Sequence, residues 1–529
     1  MHLCGRLSDI RSSVPSKRSR SAWPAIALAT AAGLGIRLYF GVGVRQPSPP
    51  KGCSVDPRWF REQAVWLTKG KWFVNPCLAH VGRFVLGADH PPLFSALLAL
   101  ADLMGLRSMD AQRAAIAVVG SSAVVLCGLL GGDLAGRRGA MAAAWAAAVL
   151  PGMWAFNAQV ISENLTIPLV AATVLLAYRM HARPRLPTAA GLGALCALAA
   201  LTRSELAVLS IAFAPIFVRS LPWKRRVSYS FAYAAVGLLI AGPWMGLNLA
   251  QFSRTEVLST QLGATLAGDD CPAAFSGPEI GTWVESCVTA DVRRLDVTGA
   301  SRQDYALRHV ASGYLDHHLG RLPAVVLARE ARGFEVWPHQ LNSVVWDFLA
   351  AGGWVVWAGW LYHDVFMVTL PIWLAGLWWL RRHRKRIWIL LTPICLYALI
   401  VGAFSADSRY SSDCQPVLAV VTGVALAAFW AWTFELPLDG TSRPRPSKAG
   451  DVTVFPSRVL KLAAPGFSGL PTTSSPAPLP PHVVQAGPLS PPGPAVPAEV
   501  YVAGPPRRPR GHPLAFSSRR ARHARRRRP

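Results

Sequence analysis

The stretch Ala111-Gln-Arg-Ala-Ala-Ile-Ala-Val-Val-Gly-Ser-Ser-Ala-Val-Val-Leu-Cys-Gly-Leu-Leu-Gly-Gly132 decides the fold class. It holds one charged residue, Arg113, and nearly all of its other side chains are apolar or small. An α-helix needs about 20 predominantly apolar residues to cross the hydrocarbon core of a bilayer. The stretch therefore predicts a transmembrane helix.

Similar apolar runs recur along the chain and predict an all-α polytopic membrane protein with a bundle of about ten transmembrane helices. Of the 529 residues, 52% are hydrophobic and only 16% are charged, whereas ordinary soluble domains carry about 25% charged residues. This composition excludes a soluble multidomain enzyme. The other nine runs are Ala22 to Val44, Ala140 to Phe156, Ile161 to Tyr178, Thr188 to Leu201, Leu206 to Val218, Val227 to Leu249, Tyr362 to Leu380, Ile387 to Phe404 and Pro416 to Leu436.

Basic residues predict the topology, because Lys and Arg in short loops stay on the cytoplasmic side. One further run, His90 to Leu106, is apolar enough for an eleventh span. That span would place every later basic cluster outside, so we expect a segment at the outer surface instead. Two large outer loops follow, loop I at about 46–112 and loop II at about 250–361. With ten helices, the basic clusters that fall on the side of the N-terminus are Arg137-Arg138, His181 to Arg185, Lys224 to Arg226 and Arg381 to Arg386.

Both ends of the chain are basic, and both are expected in the cytoplasm. Residues 1–21 form a basic N-terminus, residues 22–436 the membrane domain, and residues 437–529 a disordered tail rich in Pro and Arg. The first apolar run lacks a small-residue cleavage site, so we interpret it as a retained helix rather than a signal peptide. The tail supplies nearly half of the net charge of +26. The charge excess therefore indicates topology, and no nucleic-acid partner is expected.

Cysteines and tryptophans in the loops predict how the loops are held. An oxidising outer face permits two local disulfides, Cys53 with Cys77 in loop I and Cys271 with Cys287 in loop II. A bridge that closes a loop of about 15 residues contributes roughly 3 kcal/mol in the chain-entropy model. The loop tryptophans are expected to anchor the loops at the membrane interface; they are Trp59, Trp66, Trp72, Trp283 and Trp337.

Ionisable residues in this topology converge on the outer side. Charged side chains cost about 2.5–3.5 kcal/mol at a membrane helix centre, so they usually pair or carry a function. One interpretation is a single polar cavity. The alternative is that Arg203 with Glu205, and Arg409 with Asp407, mark short polar turns. The converging residues are Asp56 and His90 in loop I, Glu163 at the start of a span, Arg203 and Glu205 in one turn, and Arg409 and Tyr410 in another.

These residues resemble a known family, the GT-C type membrane glycosyltransferases that use polyprenyl-phosphate sugars. The most similar group contains the protein O-mannosyltransferases and the lipid A aminoarabinose transferases. The resemblance covers about residues 20–436, and each motif in it is short. The motifs are the Asp56 to Gly70 stretch, His90-Pro-Pro-Leu, Pro151 to Glu163, Leu-Thr-Arg203, Gly242-Pro-Trp244 with Asn248, and Ser408-Arg409-Tyr410 with Pro416.

The resemblance implies transfer of a sugar from a lipid phosphate to an acceptor hydroxyl, with inversion, at the outer face of the membrane. The acceptor is a protein, a glycolipid or a polysaccharide, and membrane lipid surrounds the site. Asp56 is implied as general base, while His90, Arg203 and Arg409 bind the donor phosphate. Glu163 and Tyr410 are expected to orient the substrates. No cofactor is expected, and no essential metal, because Asp56 lacks an Asp-x-Asp partner.

Two other classes of function fit parts of the sequence. A transporter or lipid flippase also places polar residues inside a helix bundle, but repeated halves, which are typical of transporters, are not evident. A membrane scaffold could use the basic tail to bind anionic lipid, since a polybasic cytoplasmic segment gains about 1 kcal/mol per Lys or Arg near the surface. The two large loops are both predicted on the outer side, and loop I carries Asp56 and His90. This arrangement favours chemistry at the outer face.

Deletion of the tail separates the enzyme from the scaffold interpretation. A chain truncated after Leu436 is expected to retain glycosyl transfer, because the tail holds none of the candidate site residues. Transfer by the full and truncated chains is measured in membranes with matched protein amounts. Complete loss in a truncated chain that still folds and inserts would contradict this prediction.

Overall fold

The computed structural model describes residues 22–43, 56–217, 222–334, 336 and 356–434. Within these ranges the regular structure is helical, and the only β-type pairing is an isolated bridge between Val74 and Leu86. The predicted all-α, multi-pass membrane fold is confirmed. The predictions for residues 1–21, Cys53, Trp337 and residues 437–529 lie outside the described residues.

Seventeen α-helices, interrupted by short 3-10 turns, make up the described part of the chain. Their bounds are α1 Trp23–Leu38, α2 Asp56–Thr68, α3 Pro76–Ala79, α4 Leu93–Leu103, α5 Met109–Val149, α6 Glu163–Ala182, α7 Leu186–Ala200, α8 Val208–Ala212, α9 Trp223–Gln251, α10 Leu262–Asp269, α11 Pro272–Phe275, α12 Glu285–Leu295, α13 Ala300–His317, α14 Leu322–Gly333, α15 Val356–Arg382, α16 Trp388–Ala403 and α17 Gln415–Thr433.

Six helices of the described part are long and apolar enough to cross a membrane. Four shorter apolar helices accompany them, at Leu93–Leu103, Leu186–Ala200, Ser204–Phe217 and Trp388–Ala403. The last three overlap predicted transmembrane runs but have only 10–17 residues, so the count of about ten spanning helices stays a prediction. The first, α4, has 11 residues and is about 16 Å long, which is too short to cross a hydrocarbon core of about 30 Å. Its length agrees with a surface segment.

Helix α5 contains two of the predicted runs, joined at a sharp reversal. Ala135 and Gly136 leave helical geometry, and Gly136 adopts a left-handed φ of 68°, which favours glycine. A Cβ on Gly131 would lie 2.5 Å from the Cβ of Ala143, although a straight helix would separate these residues by about 18 Å. The two arms therefore fold back on each other, and the absence of a side chain at Gly131 permits their contact.

Helix α17 packs in the middle of the bundle against α5. Its buried face includes Val417, Val420, Val421 and Val424. A Cβ on Gly423 would collide with the backbone of Ala143, so a glycine lets the two helices touch at this level. Because the turn before α17 carries Arg409, this close packing also fixes the position of that turn.

The described part of loop II forms a small helical unit, and Arg329 connects this unit to the end of α16. Cys271 and Cys287 form a disulfide inside it. The buried Arg329 guanidinium donates to the carbonyls of Gly402 and Ala403 at 3.3 and 3.1 Å. It also contacts the Asp270 carboxylate at 3.1 Å. A cation at the C-terminal carbonyls of a helix is favourable, so Arg329 both attaches the loop and caps α16.

Arg329→Met tests this attachment. The substitution leaves Asp270 buried without its cation, and breaking a buried ion pair from one side typically costs about 3–5 kcal/mol. We expect a clear fall in the thermal unfolding midpoint of the purified protein in detergent. Arg294→Met is the control, because Arg294 pairs with Asp291 at an exposed surface. Equal midpoints for the two variants would contradict the proposed role of Arg329.

Candidate active site

Asp56 begins helix α2, and the next turn of that helix fixes its position. Trp59 and Phe60 are buried in a small apolar core with Phe94. The Asp56 carboxylate is about a quarter exposed. One oxygen accepts from Nη2 of Arg409 at 2.7 Å, and the other lies 3.3 Å from Nε2 of His90.

His90 is held in place by two aromatic rings and by its neighbour Asp89. Its ring centroid lies 4.8 Å from that of Trp59 and 4.6 Å from that of Phe60. Asp89 accepts a hydrogen bond from the Trp59 indole N–H at 3.1 Å and another from the Thr260 hydroxyl at 3.0 Å. Because Thr260 belongs to loop II, Asp89 ties both large loops together beside His90.

Arg409 lies on the 3-10 turn Ser408–Asp413 between α16 and α17. The Asp407 carboxylate accepts the Arg409 backbone N–H at 2.9 Å and thereby caps the turn. Nε of the Arg409 guanidinium donates to the Glu163 carboxylate at 2.7 Å. Asp407 therefore forms the turn, as the polar-turn alternative expected, while the Arg409 side chain bridges Asp56 and Glu163.

Glu163 and Arg203 extend the network inward. Glu163 is completely buried at the start of α6, and the same carboxylate oxygen accepts from Arg409 and, at 2.5 Å, from Nη1 of Arg203. Nε of Arg203 donates to Glu205 at 2.5 Å. The charges alternate in sign from Asp56 through Arg409, Glu163 and Arg203 to Glu205. A buried charge is tolerated when it is paired in this way.

Two further side chains surround Arg203. Its guanidinium lies over the ring of Tyr410, 5.0 Å from the centroid, in a cation–π contact. Asp413 is fully buried nearby, and its Oδ2 has no hydrogen-bond partner in the described part of the chain. Burial raises the pKa of Asp413 well above its usual range, and Arg203 offsets this effect only in part. Asp413 therefore holds its proton more readily than an ordinary aspartic acid.

The pKa of Asp56 is shifted in the opposite direction to that of Asp413. Burial alone would raise the pKa of its carboxyl, but the neighbouring Arg409 and His90 outweigh burial and hold the pKa well below its usual range. Asp56 is thus ionised at all physiological pH values. Three carboxylates, Asp56, Glu163 and Glu205, face two guanidinium groups. Because the most exposed of these five groups are Asp56, Arg409 and Glu205, a ligand can reach the network at their edge.

Comparison with known proteins adds one match that bears on this site. Residues 89–246 match the family described as dolichyl-phosphate-mannose-protein mannosyltransferase. The matched segment is less than a third of the chain and contains His90, Glu163 and Arg203. It confirms the resemblance to GT-C glycosyltransferases. No curated protein matches the chain.

Two solved structures are distantly similar to the chain. The Archaeoglobus fulgidus oligosaccharyltransferase, tethered to an acceptor peptide, is 13% identical with a TM-score of 0.46, and the match covers 80% of this chain and 52% of that one. The chain thus spans about half the length of that enzyme. ArnT from Cupriavidus metallidurans, bound to undecaprenyl phosphate, is 12% identical with a TM-score of 0.38, covering 78% and 79%.

The structure brings together all six residues that the GT-C resemblance singled out: Asp56, His90, Glu163, Arg203, Arg409 and Tyr410. Sequence reasoning missed Asp413, although it follows Arg409 by only four positions on the same turn. Within the described residues, no group of three or more His, Cys, Asp or Glu side chains could hold a metal ion.

Two expectations about the loops have different outcomes. Trp59 was expected at the membrane interface, but it is buried, and its indole N–H is used by Asp89. The expectation was wrong for Trp59 because helix α2 turns that face toward α4. The pairing of Cys53 with Cys77 stays a prediction, since Cys53 lies outside the described residues.

The depressed pKa of Asp56 predicts a pH-dependent contribution to stability. A carboxyl with a lowered pKa in the folded state stabilises the protein above its unfolded pKa of about 4. Wild type is therefore expected to unfold at a higher temperature than Asp56→Asn at neutral pH. The difference shrinks as the pH falls below about 4 toward the folded pKa. Thermal unfolding in detergent across this range measures it.

The Arg409→Gln background provides the control for this pH effect. Arg409 is the strongest of the partners that lower the pKa of Asp56. Without it, the contribution of Asp56 to stability at neutral pH is expected to be smaller. If Asp56→Asn lowers the unfolding temperature by the same amount at every pH, with Arg409 or with Arg409→Gln, the electrostatic explanation is refuted.

Proposed function

We propose that the protein is a membrane glycosyltransferase that moves a sugar from a polyprenyl-phosphate donor to an acceptor hydroxyl, with inversion, at the outer face of the membrane. The supporting observation is the partly exposed Asp56 carboxylate bonded to Arg409, in a network that also holds a second arginine. A carboxylate beside two guanidinium groups provides both a base and a phosphate site. The family match over residues 89–246 agrees with this chemistry.

The leaving group explains why arginines, rather than a second acid, accompany Asp56. Glycosidases expel an alkoxide and therefore need a carboxylic acid to protonate it. A lipid phosphate leaves as a stabilised anion and needs cations instead. Arginine forms charge-assisted, bidentate hydrogen bonds with phosphate oxygens. In the proposed reaction Arg409 is the first phosphate ligand, and His90 and Arg203 flank it.

Asp56 is the proposed general base, but it is a weak base while Arg409 and His90 hold it. The donor phosphate is an anion and competes with Asp56 for Arg409. Binding of the donor would therefore release Asp56 from its strongest partner and raise its proton affinity. The acceptor oxygen then attacks the anomeric carbon, and the carbon–phosphate oxygen bond breaks with its electron pair left on the phosphate. The acceptor proton passes to Asp56.

Glu163 and Tyr410 have supporting roles in this proposal. Glu163 has no exposed surface and contacts both arginines. It is better placed to orient the two guanidinium groups than to contact a sugar hydroxyl. Tyr410 covers one face of the Arg203 guanidinium, which limits how that side chain can turn. We therefore propose both as positioning residues.

The test is transfer by the purified full chain, with a panel of polyprenyl-phosphate mannose, glucose and arabinose donors and membrane acceptors, followed by mass spectrometry. Asp56→Asn is expected to lower turnover by about 100- to 10,000-fold, the usual value of general-base assistance. Donor binding should be retained or tightened, because the substitution removes an anion that competes for Arg409. A folding defect would instead weaken both donor binding and turnover.

Asp133→Asn is the matched control. Asp133 also pairs with an arginine, Arg179, at 2.8 Å, but Arg179 lies 16 positions after Glu163 on α6, about 24 Å along the helix. This variant should transfer like wild type. If wild type binds the donors but wild type and Asp56→Asn are equally inert with every donor, the glycosyltransferase proposal fails.

A further inference from the structure

Residues 66–87 of loop I run from the end of α2 through α3 and fold back on themselves at an isolated antiparallel bridge between Val74 and Leu86, and they are here called the aromatic–basic hairpin. The Asn75 N–H donates to the Val85 carbonyl and the Gly87 N–H to the Phe73 carbonyl, both at 2.8 Å. The proposed function uses none of its side chains. The hairpin leads directly into Asp89 and His90, so it is adjacent to the candidate site without contributing to it.

Large apolar side chains on this hairpin face outward. Trp72 is 73% exposed, Val81 70% and Phe84 48%. Phe73, which follows Trp72, has a left-handed φ of 50°. A bulky residue adopts such a φ only when its surroundings compensate. Phe73 packs inward against Trp244, and Trp72 is consequently directed outward.

Basic side chains alternate with these aromatic rings. Nζ of Lys69 lies 4.5 Å from the ring of Trp66, and Nζ of Lys71 lies 4.9 Å from the ring of Phe84. The two rings contact each other, with centroids 5.4 Å apart. The exposed Arg83 adds a third cation. These three cations outnumber the nearby Glu62, which contacts His80 at 3.1 Å, so the surface of the hairpin has an excess of positive charge.

The contact between Phe73 and Trp244 also places the hairpin relative to lipid. Their ring centroids are 5.0 Å apart, and Trp244 lies near the C-terminal end of α9. That helix is a candidate span with little of its surface buried, and it exposes Leu238 and Leu239. Apolar side chains exposed along a spanning helix face lipid. The hairpin is therefore beside a lipid-facing helix, at the end that the charge pattern assigns to the outer side.

We infer that the aromatic–basic hairpin is a binding surface for the anionic headgroup of a phospholipid in the outer leaflet. Trp72, Val81 and Phe84 would enter the interfacial layer, where aromatic side chains are favoured. Lys69, Lys71 and Arg83 would contact the headgroup phosphate. The alternation of cations with exposed rings complements a lipid that is both charged and apolar. Because Asp89 and His90 follow directly, a bound lipid would also steady the wall of the candidate site.

The test is native mass spectrometry of the full chain in detergent, titrated with phosphatidylglycerol, phosphatidylcholine or polyprenyl phosphate. Wild type is expected to prefer phosphatidylglycerol over phosphatidylcholine. Lys69→Gln with Lys71→Gln should weaken phosphatidylglycerol binding by about 30-fold, from about 1 kcal/mol for each cation near an anionic surface. The control, Arg294→Gln with Arg302→Gln, removes the same charge from exposed positions of loop II and should bind like wild type.

Trp72→Ser is a second test that leaves the charge unchanged and removes an exposed ring, so it should weaken lipid binding without unfolding the protein. Equal binding by wild type and the lysine variant would overturn the inference. Loss of polyprenyl phosphate binding with phosphatidylglycerol binding intact would also overturn it, because the hairpin would then serve the donor. These measurements need no sugar transfer, so their outcome is independent of the proposed function.

Discussion

The ion pairs of Arg409 with Asp56 and Glu163 are the interaction on which the candidate site depends. They join residues 353 and 246 positions apart in the chain. Each partner comes from a different element: the first turn of α2, the start of α6 and the turn before α17. Removing the guanidinium would leave a completely buried Glu163 carboxylate with Arg203 alone. A buried charge requires its partners, so the three elements are constrained to meet at this point.

The turn that carries Arg409 is itself fixed from two directions. Helix α17, which follows it, packs closely on α5 at Gly423. Helix α16, which precedes it, is capped by Arg329 of loop II, and the Ala406 N–H donates to the Gly281 carbonyl of the same loop at 3.0 Å. Loop I is tied to loop II through Asp89 and Thr260. Such support keeps a polar site in a defined geometry before any ligand binds.

The sequence was sufficient to predict the fold class and to predict which six residues lie together in the candidate site. Apolar length identified the helices, and the charge pattern placed Asp56 and Arg409 on one side although neither is near the other in the chain. The two separate apolar runs with Arg137-Arg138 between them already predicted a reversal near Gly136, but hydropathy cannot show which residues of the two arms touch, such as Gly131 and Ala143. It also cannot show that Trp59 is buried. Asp413 was missed because burial, not residue type, makes it unusual, and burial is a property of the assembled bundle.

The charge balance of the site gives the proposed mechanism its order of events. Two guanidinium groups already face three carboxylates, so in the proposed reaction the donor phosphate competes with these carboxylates for the arginines. Glu163 is buried and shared between both arginines, whereas Asp56 is partly exposed and makes a single contact with Arg409. In the proposed reaction Asp56 is therefore the carboxylate that leaves Arg409. In the proposed reaction the base becomes effective only when the donor phosphate has taken its place, so an acceptor hydroxyl is not deprotonated at an empty site.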